Sequence, residues 1–250
     1  MRLSALMPPL VKALVFSVTL TFAVLYGGFF WPTVFIVSSL YSYFRSLFEW
    51  KVFLYSFIAI VLYGYLGTSF FSSASEVGGF SGNTLVFLAA STFGVLFFLL
   101  LSIKEFVFLR RQAIFNFLSG ALYFFIAATF FIADKDRGGA FLFYFLLSFI
   151  ALYLLIKESI EFFMEDAPKR KKNLLVIGSA VLVAEFLSII SILPIGFLSS
   201  AALIILLVFI LEDLVYYHLK GALDRQIILN NVTILIISLI FIFATSKLSL

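Results

Sequence analysis

Cysteine is absent from all 250 residues, which excludes disulfides, thiolate nucleophiles, Fe–S ligation and S-palmitoylation together. A single histidine, His218, excludes two-histidine metal motifs such as HExxH. No GxSxG, P-loop or GxGxxG segment occurs either, so the sequence gives no catalytic residue, cofactor site or metal site, and a non-enzymatic protein is expected. Charge is scarce as well. Asp, Glu, Lys and Arg make up 12% of the chain, against about 25% in an ordinary soluble domain. That is too little to cover a soluble surface.

What fills the chain is apolar: 64% of residues are hydrophobic and the mean hydropathy is +1.19. Lipid must be the solvent for most of it. The sequence pI of about 9.2 does not signal nucleic acid, because the 17 Lys and Arg lie scattered over short connections and form no basic face for phosphates. Their distribution is that of a membrane protein whose cytoplasmic loops retain the positive charge.

Three stretches set the organisation. Leu99–Gln112 (LLLSIKEFVFLRRQ) ends an apolar run in Lys104 and Glu105, follows with aromatics, and closes on Arg110 and Arg111. Looser versions recur as Leu154–Lys172 (LLIKESIEFFMEDAPKRKK) and Ile210–Gln226 (ILEDLVYYHLKGALDRQ). Each reads as the cytoplasmic end of a helical hairpin. A transmembrane helix needs about 20 apolar residues. Val52–Phe71, Asn83–Ile103, Ala113–Ile132, Leu174–Ile192 and Ile227–Ala244 satisfy this, with shorter runs at Ala140–Ile156 and at Phe197–Leu211, the latter continuing to Tyr217. The 35-residue stretch Leu10–Phe44 is too long for one ordinary span, and Gly27-Gly28 followed by Trp31-Pro32 breaks it into Leu10–Tyr26 and Phe29–Phe44. The runs are continuously apolar and lack the alternation of a β-barrel.

The expected fold is therefore all-α, a polytopic transmembrane helical bundle of about nine spans built as successive hairpins. It is expected to form one integral membrane domain over residues 1–250, with hairpin units 1–50, 51–110, 111–170 and 171–225 and a final span 226–250. With the N-terminus inside and the C-terminus outside, 14 of the 17 Lys and Arg fall on the cytoplasmic side and 3 on the other. This split supports the N-in/C-out orientation, and the cytoplasmic membrane is the expected location.

Few residues stand out as candidates for function. Glu185 lies well inside Leu174–Ile192, where a carboxylate costs a few kcal/mol unless it faces a partner or water. Helical spacing puts Gly178, Val181 and Ser188 on its face, a small, mildly polar stripe suited to close helix packing. Glu185 is then either a protonatable or cation-binding site or a structural hydrogen bond between helices. Asn116, Ser119, Gly120 and Tyr123 follow an i, i+3, i+4, i+7 pattern, a polar helix seam that could supply Glu185 with a neighbour. Asn230, Asn231 and Thr233 invite the same reading. From Ile156 to Ala167 an amphipathic pattern sets Ile156, Ile160, Phe163 and Met164 opposite Glu158, Glu161 and Glu165. Pro168 and the basic run Lys169, Arg170, Lys171 and Lys172 follow. This loop orients the chain, or docks a membrane-protein partner or anionic lipid headgroups. Two functions follow: a structural or assembly protein of the membrane, or a small-solute or ion transporter or channel using Glu185. Gly and Pro interruptions cluster at helix ends rather than in mid-span, which favours the first.

Overall fold

The computed structural model describes residues 3–45, 53–72, 76–77, 80–105, 111–136, 141–164, 167–193 and 195–245. Among these lie nine helices: α1 (Leu3–Tyr26), α2 (Phe30–Phe44), α3 (Leu54–Ser72), α4 (Gly82–Lys104), α5 (Arg111–Asp136), α6 (Phe141–Phe163), α7 (Lys169–Ile192), α8 (Phe197–Leu219) and α9 (Arg225–Thr245). A two-residue hairpin, β1 (Glu76–Val77) against β2 (Phe80–Ser81), leads into α4. The all-helical bundle expected from the apolar runs is the one observed. Seven of the helices are long and apolar enough to cross a membrane, and α3 supplies a shorter apolar helix. α2 has 15 residues, about 22 Å of helix, against a hydrocarbon core of about 30 Å.

Local chemistry sets the ends. Gly27 and Gly28 both take positive φ, 56° and 69°, and so split α1 from α2 where the sequence places the break. Ser81 caps α4, its hydroxyl accepting from the Thr84 amide at 3.4 Å. The α8–α9 connection is a Schellman turn: Gly221 (φ 67°) donates to the His218 carbonyl and Ala222 to that of Tyr217. The Asp224 carbonyl then accepts from the amides of Ile227 and Ile228 to start α9. Between α6 and α7 the connection is shorter than the sequence suggests. α6 runs to Phe163, and Lys169–Lys172 is the first turn of α7 rather than a loop, because Pro168 sits at its N-cap with a φ already near the helical value. Glu165, Arg110 and Pro194 lie outside the described residues, as do several of the loop charges behind the proposed topology.

The chain packs as two compact units, Met1–Leu122 and Tyr123–Leu250, divided within α5. In the first, α1 packs against α2, α3 and α4, and α3 against α4. Aromatic rings fill this core. Phe16 stacks on Phe97 with centroids 4.5 Å apart and meets Phe35 edge-on at 5.1 Å, while Tyr43 stacks on Phe57 at 4.2 Å. The crossing of α1 and α4 is close because of one glycine. A Cβ on Gly94 would stand 1.7 Å from the Ser17 hydroxyl, 3.1 Å from Ser17 Cβ and 3.4 Å from the Ala13 carbonyl oxygen. Ala13 and Ser17 on one helix thus face Ala90 and Gly94 on the other, all small, which is how membrane helices bring backbones together. In the second unit α6, α7, α8 and α9 pack successively, α6 also touches α8, and Phe130 on α5 meets Phe141 and Phe145 on α6.

The α1–α4 crossing gives a direct test. Gly94→Leu has to force the helices apart, and a loss of about 1–3 kcal/mol of unfolding stability is expected, as for overpacking a core. Val95→Leu, at a position 56% exposed, is the matched control and leaves stability unchanged. Equal melting of the two variants in detergent would contradict the contact.

Candidate functional site

The polar groups between helices concentrate toward the ends of the hairpins, and each unit holds its own set. In the first unit the central group is Lys104, in the last turn of α4 and 1% exposed. Its ammonium donates to the Tyr43 carbonyl at 3.0 Å and lies 3.6 Å from the centroid of the Tyr43 ring. Tyr43 is in the last turn of α2, where carbonyls have no intrahelical partner and the helix dipole presents negative charge. A buried lysine is therefore the cap of a neighbouring helix, strengthened by the ring face. Next to it, the Lys12 ammonium on α1 donates to Glu105 Oε1 at 2.9 Å, a pair about one-fifth exposed on each side. Lys104, Glu105, Lys12 and Tyr43 together tie α4 to α2 and α1.

The second unit repeats the lysine cap. Lys172, in the first turn of α7 and buried, donates to the Met164 carbonyl at the end of α6 at 3.0 Å. A separate set joins α5, α6 and α8. Tyr123 is fully buried and its hydroxyl donates to Glu212 Oε1 at 2.6 Å, a short bond. Ser159 and Glu158 on α6 are buried in the same neighbourhood. One residue further along α8, Asp213 Oδ2 accepts from Asn231 Nδ2 on α9 at 2.9 Å. Among the described residues no group of three or more His, Asp or Glu stands close enough to hold a metal ion.

The residues singled out from the sequence divide accordingly. Tyr123 and Asn231 are interhelix donors, as a polar seam requires. Asn116 is exposed and belongs to the first unit. Its carbonyl accepts from Ser119 at 3.1 Å, a bond within α5. Glu185 belongs to the second unit and lies on the exposed face of α7, not on the face packed against α6 and α8. Gly178 and Val181 are exposed on the same side, and a Cβ on Gly178 would meet nothing within 4 Å. The Ser188 hydroxyl bonds back to the Ala184 carbonyl. Phe163 and Met164 are half-buried, while Lys169, Arg170 and Lys171 are exposed and separate from the buried Lys172. Glu158 turns inward instead of facing water with Glu161. His218 is exposed.

Lys104, Lys12, Glu105, Ser159 and Glu212 were not visible as a set in the sequence. Their signal was the repeated acid at the hairpin ends, which reads equally well as interfacial charge. A groove of about 580 Å³ lies between α1 and α4, lined by residues such as Leu14, Val18, Phe22, Phe87 and Phe98. Of its hydroxyls, Ser17 and Thr21 bond to their own helix backbone, so the groove offers acyl-chain chemistry.

The lysine cap yields a stability prediction. Lys104→Met removes the donor from the Tyr43 carbonyl, and a loss of about 1–3 kcal/mol is expected for a buried acceptor left unpaired. Lys169→Met, at an exposed position, changes stability by no more than about 0.5 kcal/mol. Thermal unfolding in detergent separates the two, and equal melting points would remove the cap from the account. No protein-family model matches this chain, nor does any curated protein or solved structure, so the site is interpreted on its own chemistry.

Proposed function

We propose that this integral membrane protein is a non-enzymatic assembly component of the cytoplasmic membrane, working by association with other membrane constituents. The observation that carries the reading is where its polar groups point. The inward ones bond helix to helix: Lys104 to Tyr43, Lys12 to Glu105, Tyr123 to Glu212, Asn231 to Asp213. Several charged side chains outside these bonds face outward, among them Glu185 on α7 and Lys169, Arg170 and Lys171 in its first turn. Three bases at a helix N-terminus oppose the helix dipole. Their position suits an interaction outside the helix, with anionic headgroups or an acidic partner surface, and suits the orientation of the chain with this end in the cytoplasm.

The competing transport reading requires Glu185 to act on a solute. Purified protein in liposomes is expected to give no flux of ions or small metabolites above protein-free vesicles. In native membranes opened with mild detergent it is expected to migrate in a discrete complex larger than its 28.1 kDa. Ion-coupled uptake that disappears in Glu185→Gln while thermal stability is retained would overturn the assembly reading.

A further inference from the structure

We infer that the outer face of α7 docks a transmembrane helix of another membrane protein, one carrying a Lys or Arg at the depth of Glu185. The inference deepens the assembly reading and rests on it. α7 buries Val176, Ala180, Val183, Ala184 and Leu187 against its own unit. The opposite face exposes Ile177, Gly178, Val181, Leu182, Glu185 and Ile189. Every residue of that face except one is compatible with lipid.

The exception is Glu185. It stands seven residues before the end of α7 at Ile192, about 10 Å along the helix axis, inside a hydrocarbon core about 30 Å thick. A glutamate side chain is too short to reach water from there, and an ionised carboxyl left against lipid costs a few kcal/mol. A helix that covers the face and brings a base to this carboxyl removes that cost, and the shape of the face admits one. Gly178 lies two turns from Glu185 on the same side with open space where a Cβ would be. A passing helix can therefore bring its backbone close, the geometry that small residues provide in membrane helix pairs.

Charge complementarity identifies the occupant. A carboxylate flanked by a close backbone approach calls for a cationic donor at the same depth. This chain does not supply one to a second copy of itself. At the corresponding depth its other helices carry Thr19, Val37, Tyr65, Ala89, Thr129, Ser148, Ile204 and Ser238, and no Lys or Arg lies within three residues of any of them. Lys12 and Lys104 are at the opposite hairpin ends and are already bonded. The base must come from a different protein.

The test uses defined probes. Polyleucine transmembrane peptides of about 20 residues, bearing one Lys at the matching depth or none, are co-reconstituted with the full-length protein in liposomes, and association is read by energy transfer. The Lys peptide is expected to bind about tenfold more tightly than the Leu peptide, the scale of one good interhelix polar contact. Glu185→Gln should bring it down to the Leu level, and Gly178→Leu should weaken it too. Both variants should melt like the parent, because both positions are exposed. Equal binding of the two peptides would overturn the inference, as would energy transfer between two labelled copies that needs Glu185 and excludes the Lys peptide. Either outcome would leave a native complex formed elsewhere on the surface intact, so failure here is distinct from failure of the assembly reading.

Discussion

The interaction on which the rest depends is a buried lysine closing the C-terminus of a neighbouring helix. The last carbonyls of a helix have no partner within it, and inside a bundle surrounded by lipid there is no water to serve them. Lys104 meets that need at the end of α2 and Lys172 at the end of α6. In both cases the ammonium arrives from a different helix, so satisfying one backbone group also fixes the packing of two elements. Lys104 is almost wholly buried, and it can be so because a carbonyl and the face of the Tyr43 ring replace its hydration.

Around these caps the two units use different chemistry for the same task. The first ties α1 to the end of α4 with an ion pair, Lys12 to Glu105, and the second ties α5 to α8 with a tyrosine and a carboxyl group, Tyr123 to Glu212. Midway along the helices the contacts change character. There the first unit relies on ring stacking and on the Gly94 crossing, where shape rather than polarity decides fit. The Lys104, Lys12–Glu105 and Lys172 contacts lie at helix ends, whereas the Tyr123–Glu212 bond lies deeper, within the packed interior of its own unit.

Much of the fold was legible because the apolar runs are membrane-length and sharply bounded. Gly27-Gly28 marked the first turn through the one conformation that glycine alone adopts cheaply. The caps were not legible, because the partner of Lys104 is a backbone carbonyl and no side-chain pattern announces it. The Lys12–Glu105 pair spans 93 residues, beyond any local periodicity. Glu158 misled for a different reason. The end of α6 buries Ile156 and Ile160 but also Glu158 and Ser159, so it is covered on more than one face, whereas an amphipathic reading assumes a single covered face. For Glu185 its position along α7 followed from helix length, but both faces of α7 are mainly apolar, and direction came only from packing.

The topology expected from the charge split puts Arg45, Lys169 and Lys220 on the cytoplasmic side of the membrane. The absence of native cysteine makes a direct measurement simple: single cysteines, each probed with a membrane-impermeant maleimide in intact cells and in inverted vesicles. Cysteines replacing Arg45, Lys169 and Lys220 are expected to react only in inverted vesicles, and those replacing Phe29, Ser81 and Leu198 only in intact cells. Reaction of both sets from the same face, or of any member of the first set from outside, would contradict the account.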